Sequence, residues 1–148
     1  MNIASMYDGG SRINVQQSIV PAAVAASTVN GTGIDRAGVT ADQEYFSGVL
    51  EVSLGATTGA PTTISVAVSL QDSSDNSTFA AVGSSFGGPI AITTATAASQ
   101  VVTANFNGLG LRRYVRAVAV VSFTGGTSPT IVVGANIVLC GAAKAPTP

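Results

Sequence analysis

From residue 62 to 71 the chain reads TTISVAVSLQ, with Ile64, Val66, Val68 and Leu70 on one face and Thr63, Ser65, Ala67, Ser69 and Gln71 on the other. That period of two is the mark of a half-buried strand in an antiparallel sheet. Residues 42–54, DQEYFSGVLEVSL, alternate in the same way. Phe46, Leu50, Val52 and Leu54 are expected on the inner face, and Tyr45, Ser47, Glu51 and Ser53 largely on the outer one. Further strands are predicted at 79–83, 90–94, 99–106, 111–123 and 130–140, and one more between 17 and 29. No stretch of ten or more residues carries a capped helical stripe, so helix is expected to be minor.

The segments between these runs are dense in Gly, Pro, Ser, Thr and Asn: NGTG (30–33), GATTGAP (55–61), DSSDNS (72–77), FGGP (86–89), NGLG (107–110) and TGGTSP (124–129). Short strands separated by such turns define an all-β, antiparallel β-sandwich, of jelly-roll or immunoglobulin-like order. The sandwich is expected over 17–140, with an extended N-terminal arm over 1–16 and a short C-terminal tail over 141–148 that lacks periodicity. Two strands differ from the rest. In 111–123, Val118 and Val120 back the inward set Val115, Ala117, Ala119, Val121 and Phe123. In 130–140, Val132 and Val138 back Ile131, Val133, Ala135, Ile137 and Leu139. A strand apolar on both faces needs cover on both, from a neighbouring subunit or from the chain's own arms.

Composition sharpens that expectation. Six Lys plus Arg stand against seven Asp plus Glu, a formal net charge of −1. Charged residues are 9% of the chain, against about 25% in ordinary soluble domains. Such a chain carries no global field for nucleic acid or an anionic membrane. Its mean hydropathy of +0.46 comes from scattered Ala and Val. The longest apolar run, IVPAAVAASTV (19–29), is too short for a bilayer span and contains Pro21. The residues before it lack the basic-then-apolar order of a signal peptide, so neither secretion by that route nor membrane insertion is expected. Surface hidden against other subunits is the expectation for a chain this apolar and this poorly charged.

Candidate chemistry is sparse. With no histidine in the sequence, imidazole-based acid–base, triad and metal-ligand schemes are excluded. Cys140 is the single cysteine; it can form no internal disulfide and reads as a small core residue. Asp72, Asp75 and Asn76 in DSSDNS faintly resemble an oxygen-ligand loop but lack calcium-loop spacing, so an Asx-type hairpin turn is expected. Asp42, Glu44 and Glu51 lie on or beside one strand without the aromatic platform of a sugar-cleaving site. Asn30 and Asn76 head weak glycosylation sequons. GTGIDRAG (31–38) lacks the strand and helix that a phosphate loop needs. No enzyme and no cofactor are expected.

Three of the six basic residues, Arg112, Arg113 and Arg116, crowd the start of an apolar strand. In strand geometry Arg112, Tyr114 and Arg116 share one face and Arg113 the other, which breaks any continuous phosphate-tracking stripe. The sequence VSLQDSSDNSTFAAVG (68–83), followed by LRRYVRAVAVVSFTGGTSP (111–129), resembles small β-sandwich virion structural proteins of tailed bacteriophages, of the head decoration or cement type. The resemblance spans about 17–140. That pattern commonly carries Trp where this chain has Phe79, and the same strand and turn pattern occurs in carbohydrate-binding sandwiches.

The resemblance implies a non-catalytic role in the virion. It implies binding to the outer surface of the major capsid protein shell, often as a homotrimer, by a chain made in the host cytoplasm. A tail or neck component and a carbohydrate-binding module are the alternatives. The candidate assembly residues are Met6, Tyr7, Arg12 and Ile13 in the arm and Arg112, Arg113 and Arg116 at the strand start. The arginines either pair with carboxylates of the same or a neighbouring copy or of the capsid protein, with Asp35, Asp42 and Glu44 as candidates, or cap the sandwich edge and solvate it.

Overall fold

Alternating Val, Ile and Ser/Thr residues that cannot form an amphipathic helix build two antiparallel sheets. The computed structural model describes residues 13–37, 44–83, 90–94 and 99–142, the side chains of 90–94 and 142 excepted. Ten strands follow in chain order: β1 (Asn14–Val24), β2 (Ser27–Asn30), β3 (Ile34–Asp35), β4 (Tyr45–Thr58), β5 (Thr63–Ser73), β6 (Ala80–Ala81), β7 (Ile90–Thr94), β8 (Gln100–Asn107), β9 (Tyr114–Thr124) and β10 (Thr130–Ala142). Among the described residues there is no helix.

The first sheet runs β1-β10-β4-β8. The second runs β2-β9-β5, with β7 and the two-residue β6 on the far side of β5 and β3 also pairing with β9. All these pairings are antiparallel. Leaving aside the two-residue β3 and β6, first strand pairs with last (β1 with β10), second with second-last (β2 with β9), third with sixth (β4 with β8) and fourth with fifth (β5 with β7). That nested pairing across two sheets is the jelly roll, which settles the choice the periodicity left open.

The core lies between the sheets. Val52, Val66, Val68, Val115, Ile131, Val133, Ile137 and Leu139 are fully enclosed. β5 shows the predicted alternation without exception from Thr63 to Leu70. In β4 the strand begins at Tyr45, and Tyr45 is buried in the core while Phe46 is only half-buried, the reverse of the expected facing. Cys140 is half-buried and outward-facing, beside Ser47 Oγ at 3.3 Å, because the inward positions of β10 are the odd-numbered ones. The expected strand between 17 and 29 is two strands in different sheets, divided at Ala25 and Ala26.

β1 begins at Asn14, so Asn14, Val15 and Gln16 are paired with Leu139, Val138 and Ile137; residues 1–12 and 143–148 lie outside the described residues. The doubly apolar strands are partly self-covered. Val118 is buried and Val132 and Val138 are half-buried, but Val120 remains 48% exposed.

Two local devices close the sandwich along β1. A register shift between Gln17 and Ile19 turns Ser18 inward. Its hydroxyl accepts from the Ala117 amide at 2.9 Å and donates to the Thr32 carbonyl at 3.0 Å, joining the two sheets. The other device is Pro21, whose ring packs over Gly134 of the neighbouring strand at a point where a side chain would collide with it. Along β4, Gly48 makes room for the Phe106 ring. A Cβ at Gly48 would lie 2.3 Å from Phe106 Cζ and 2.6 Å from the Val138 carbonyl oxygen, and the second contact is with backbone that cannot swing away. Gly48→Ala is therefore expected to lower unfolding free energy by about 1–3 kcal/mol. Urea unfolding with an unchanged midpoint would contradict that packing.

Candidate assembly interface at the charged end of the sandwich

One end of the jelly roll collects the loops after β3, β5 and β8 together with the start of β1 and the end of β10. Its organiser is Arg36, 1% exposed and carried in a stretch without periodicity. The chain turns at Arg36 after β3. Its amide donates to the Arg113 carbonyl at 2.9 Å, and its carbonyl accepts from the Tyr45 amide at 3.0 Å. The guanidinium then donates to four backbone carbonyls: Arg112 (Nε, 3.0 Å), Tyr45 (Nη1, 2.7 Å), Gly108 (Nη1, 3.0 Å) and, through Nη2, Leu111. Nη2 also reaches Glu44 Oε1 at 3.0 Å.

Carbonyls of the 108–112 loop that point inward cannot reach water, and five N–H donors in a fixed fork satisfy them at once. Burial pushes the Arg36 pKa down, opposed by the Glu44, Asp72 and Asp35 charges. The group remains a cation because an arginine starts so far above neutrality.

The three clustered arginines are each anchored within their own chain. Arg112 donates through Nε and Nη2 to Asp72 Oδ1 at 3.0 and 2.6 Å and through Nη2 to the Asp72 carbonyl at 2.9 Å, while its amide donates to Asp72 Oδ2 at 2.9 Å. Arg113 makes a two-pronged pair with Asp35, Nε to Oδ1 at 3.0 Å and Nη2 to Oδ2 at 2.7 Å. It also lies over the Tyr114 ring at 5.3 Å. Arg116 sits opposite Gln71 in the β5–β9 ladder, donates through Nε and Nη2 to Gln71 Oε1 at 3.0 and 2.7 Å, and stacks on Phe79 at 4.2 Å.

β9 begins only at Tyr114, so Arg112 and Arg113 precede the strand and the expected face-sharing applies to Tyr114 and Arg116 alone. Of the candidate partners, Asp35 pairs with Arg113. Glu44 belongs to Arg36, Asp72 replaces it for Arg112, and Asp42 lies outside the described residues. Of the arm candidates, Ile13 is 48% exposed at the entry to β1, while Met6, Tyr7 and Arg12 lie outside the described residues.

Phe79 is placed by the turn before it. Asp75 Oδ1 accepts from the amides of Thr78 and Ser77 at 2.8 and 2.9 Å and from Ser73 Oγ at 2.8 Å, the expected Asx-type turn. These bonds, the Thr78 amide first, hold the Asp75 carboxyl far below the usual carboxylate range. Asn76 takes a left-handed φ of 58°, and Asn76 and Phe79 both press on Gly33, which has no room for a side chain. Among the described residues no cluster of Asp, Glu or Cys has the arrangement of a metal site. Beside this end lies a cleft of about 260 Å³ lined by Asn14, Gln16, Gln17, Thr32, Gly33, Ile34 and Asp35.

Electrically the end is balanced. Among the described residues of this end, Arg36, Arg112, Arg113 and Arg116 give +4, and Asp35, Glu44, Asp72 and Asp75 give −4, so these eight charges sum to zero. Charges balanced in this way give these described residues no net attraction for phosphate at long range. What the end offers is three guanidiniums fixed through Nε and Nη2, with no partner at Nη1 among the described residues.

No family model matches the chain, and no curated relative matches it. Among solved structures, the chain is similar to the PBSX exported protein XepA at 13% identity and a TM-score of 0.49, covering 91% of this chain and 39% of that one. It thus spans well under half of that protein. A structure of Desmodium yellow mottle tymovirus is similar at 10% identity and a TM-score of 0.37, covering 92% and 90% of the two chains. The Tobacco streak virus coat protein is similar at 10% identity and a TM-score of 0.33, covering 93% and 92%. At such scores the likenesses assign no role, and function has to be read from this chain's own residues.

Two outcomes are expected from this geometry. Arg36→Met removes the guanidinium donors from the carbonyls of Tyr45, Leu111 and Arg112 and leaves that of Gly108 with the Leu111 amide alone; it should cost about 3–5 kcal/mol. Glu44→Gln, at a partner that is 46% exposed, should cost under about 1 kcal/mol. Equal losses in urea unfolding would mean that the ion pair, and not carbonyl satisfaction, is what Arg36 supplies.

The second outcome concerns acid. For Asp35 the side-chain bond from Arg113 is the largest influence and its pKa falls below the ordinary 3.8. For Asp72 burial is the largest single influence and acts upward, but the bonds and charge of Arg112 together outweigh it, and its pKa also falls below 3.8. Both groups therefore stabilise the fold while ionised. Their contribution is complete above about pH 5 and lost as pH drops through the lowered folded values. Asp72→Asn should reduce Tm at pH 7 and flatten its decline between about pH 5 and 2. A decline as steep as in the parent chain would exclude Asp72 from the acid response.

Proposed function

We propose that the chain is a non-enzymatic virion structural protein, a capsid decoration protein that self-associates, as a homotrimer, and binds the outer surface of the major capsid protein shell. The observation that carries the reading is Arg116. Its guanidinium is held over Phe79 and against Gln71, and no carboxylate among the described residues pairs with it. A cation immobilised in advance loses little entropy when a carboxylate of another protein closes on it, and Arg is favoured at the energetic centres of protein interfaces for that reason.

The surroundings support the same reading. The flanks of the sandwich present Ser65, Ala67, Ser69 and Val120 where ordinary soluble domains carry Lys and Glu. The jelly roll is an architecture that viral capsid domains use, as lectin domains also do, which is an association at the level of fold. The sugar-binding alternative has one feature in its favour, the amide-rich cleft at Asn14, Gln16 and Gln17, but among the described residues no aromatic side chain lines it.

In a binding isotherm of the purified chain on undecorated capsid shells, the parent chain should bind, and Arg116→Ala, still folded at the assay temperature, should weaken binding by about 10- to 100-fold. Absence of binding by the parent chain would discard the capsid reading and move attention to a tail or neck position. Equal binding by Arg116→Ala would keep the capsid and remove Arg116 from the contact.

A further inference from the structure

The two edges of the β1-β10-β4-β8 sheet are built differently. At the β1 edge the ladder is interrupted twice, between Gln17 and Ile19 and between Ile19 and Ala22. Pro21, which has no N–H, sits in the second interruption. The Ser18 carbonyl on that edge accepts from the Thr32 amide at 2.7 Å. Bulges, proline and stitching to the other sheet are how proteins prevent an edge from recruiting another strand.

β8, the opposite edge, has none of these. Its eight residues QVVTANFN contain no charge, proline or glycine, and among the described residues it pairs only with β4. Its register with β4 is unbroken from Ser47 opposite Asn107 to Leu54 opposite Gln100. Val101, Thr103 and Asn105 are exposed, Val101 at 63%.

We propose that β8 is a self-association edge, pairing antiparallel with β8 of a second copy of this chain so that two four-stranded sheets become one eight-stranded sheet. The lack of charge favours a second copy as the occupant, and the geometry of the strand permits one. The edge carries no charge, so an oppositely charged partner strand finds nothing to complement, whereas two identical edges meet without repulsion. The strand also fits itself. Under a two-fold axis each residue must face one pointing to the same side of the sheet, since a one-residue slip inverts every side chain. β8 turns Val102, Ala104 and Phe106 toward the core and Val101, Thr103 and Asn105 outward.

An axis through Thr103 satisfies that parity over Gln100–Phe106. It sets Thr103 against Thr103, Val101 against Asn105 and Val102 against Ala104. The isologous contact leaves the Arg116 end free, and the proposal stands whether or not the chain decorates a capsid.

The test is sedimentation equilibrium of the full chain over a concentration series, with Val101→Lys/Asn105→Lys as the variant. Both side chains are exposed, so a thermal melt below the association range should be unchanged, while the two ammonium groups would confront each other across the axis at positions that, unlike Thr103, do not stand directly opposite Glu51 of β4. The parent chain should show a mass that doubles with concentration, whatever smaller assembly it starts from. The variant should need at least about tenfold higher concentration to do so. Hydrogen exchange on the parent chain gives a reading independent of any variant: amides of residues 100–107 should slow as concentration rises. A parent mass that never doubles, doubling by the variant at the same concentration, or exchange in β8 that ignores concentration would each overturn the proposal.

Discussion

The arrangement at the charged end depends on one buried cation. A jelly roll brings loops from distant parts of the chain to the same end, and in this one the 108–112 loop turns several carbonyls inward where water cannot follow. The loop belongs to no ladder, and the one main-chain bond within it, from the Leu111 amide to the Gly108 carbonyl at 3.1 Å, leaves the other inward carbonyls without a main-chain donor from the loop. Arg36 answers with a planar fork whose five N–H groups reach the carbonyls of residues 45, 108, 111 and 112 and the edge of Glu44. A lysine would offer three donors from a single point and could not span the same set. The half-exposed Glu44 contributes mainly by being a fifth acceptor, since an ion pair open to solvent adds little.

The surface arginines follow from that clamp. Arg112 can meet Asp72 with both backbone and side chain because its own carbonyl is held by Arg36 Nε. Arg113 can reach Asp35 because the Arg113 carbonyl accepts the Arg36 amide one residue beyond. Loop, strand start and turn thus form a single polar network in which the end of β5, the start of β9 and the short β3 are mutually fixed. Networks of this kind are most ordered when every member is satisfied. At this end, among the described residues, what has no partner is Nη1 of Arg112, Arg113 and Arg116.

Much of the fold is legible in the sequence because burial in a sandwich imposes a period of two. β5 and the inward sets of β9 and β10 can be read directly, since Ile, Val and Leu at alternate positions have one physical explanation. The division of 17–29 into β1 and β2 is not legible, because the chain changes sheets at Ala25–Ala26, where neither Gly nor Pro marks the break. The Tyr45 and Cys140 facings depart from expectation at strand ends, where periodicity has too few residues to fix phase. Arg36 is invisible for a deeper reason. GTGIDRAG has no periodicity, and what buries the side chain is a loop more than seventy residues away. Asp72 and Arg112, forty residues apart, are hidden in the same way. The clustering of Arg112, Arg113 and Arg116 can be seen, and so can Asp35 as a candidate partner, which pairs with Arg113; Asp72, the partner of Arg112, cannot.

That internal neutralisation changes what the cluster can do. An unpaired group of arginines attracts any polyanion at long range, with an affinity that collapses as salt screens it. Here the described cations and anions of the end cancel, so little field extends beyond the surface. In the proposed function, recognition then comes at contact distance, from donors aimed by Asp35, Asp72 and Gln71, with Phe79 and Tyr114 under two of the guanidiniums. Contacts of that sort select a partner by shape and hydrogen-bond direction, and desolvation protects them from salt once formed. A chain with so few charges gives up solubility and electrostatic steering. It gains flanks that other subunits can cover without burying an unpaired ion, which is the property the proposed assembly role requires.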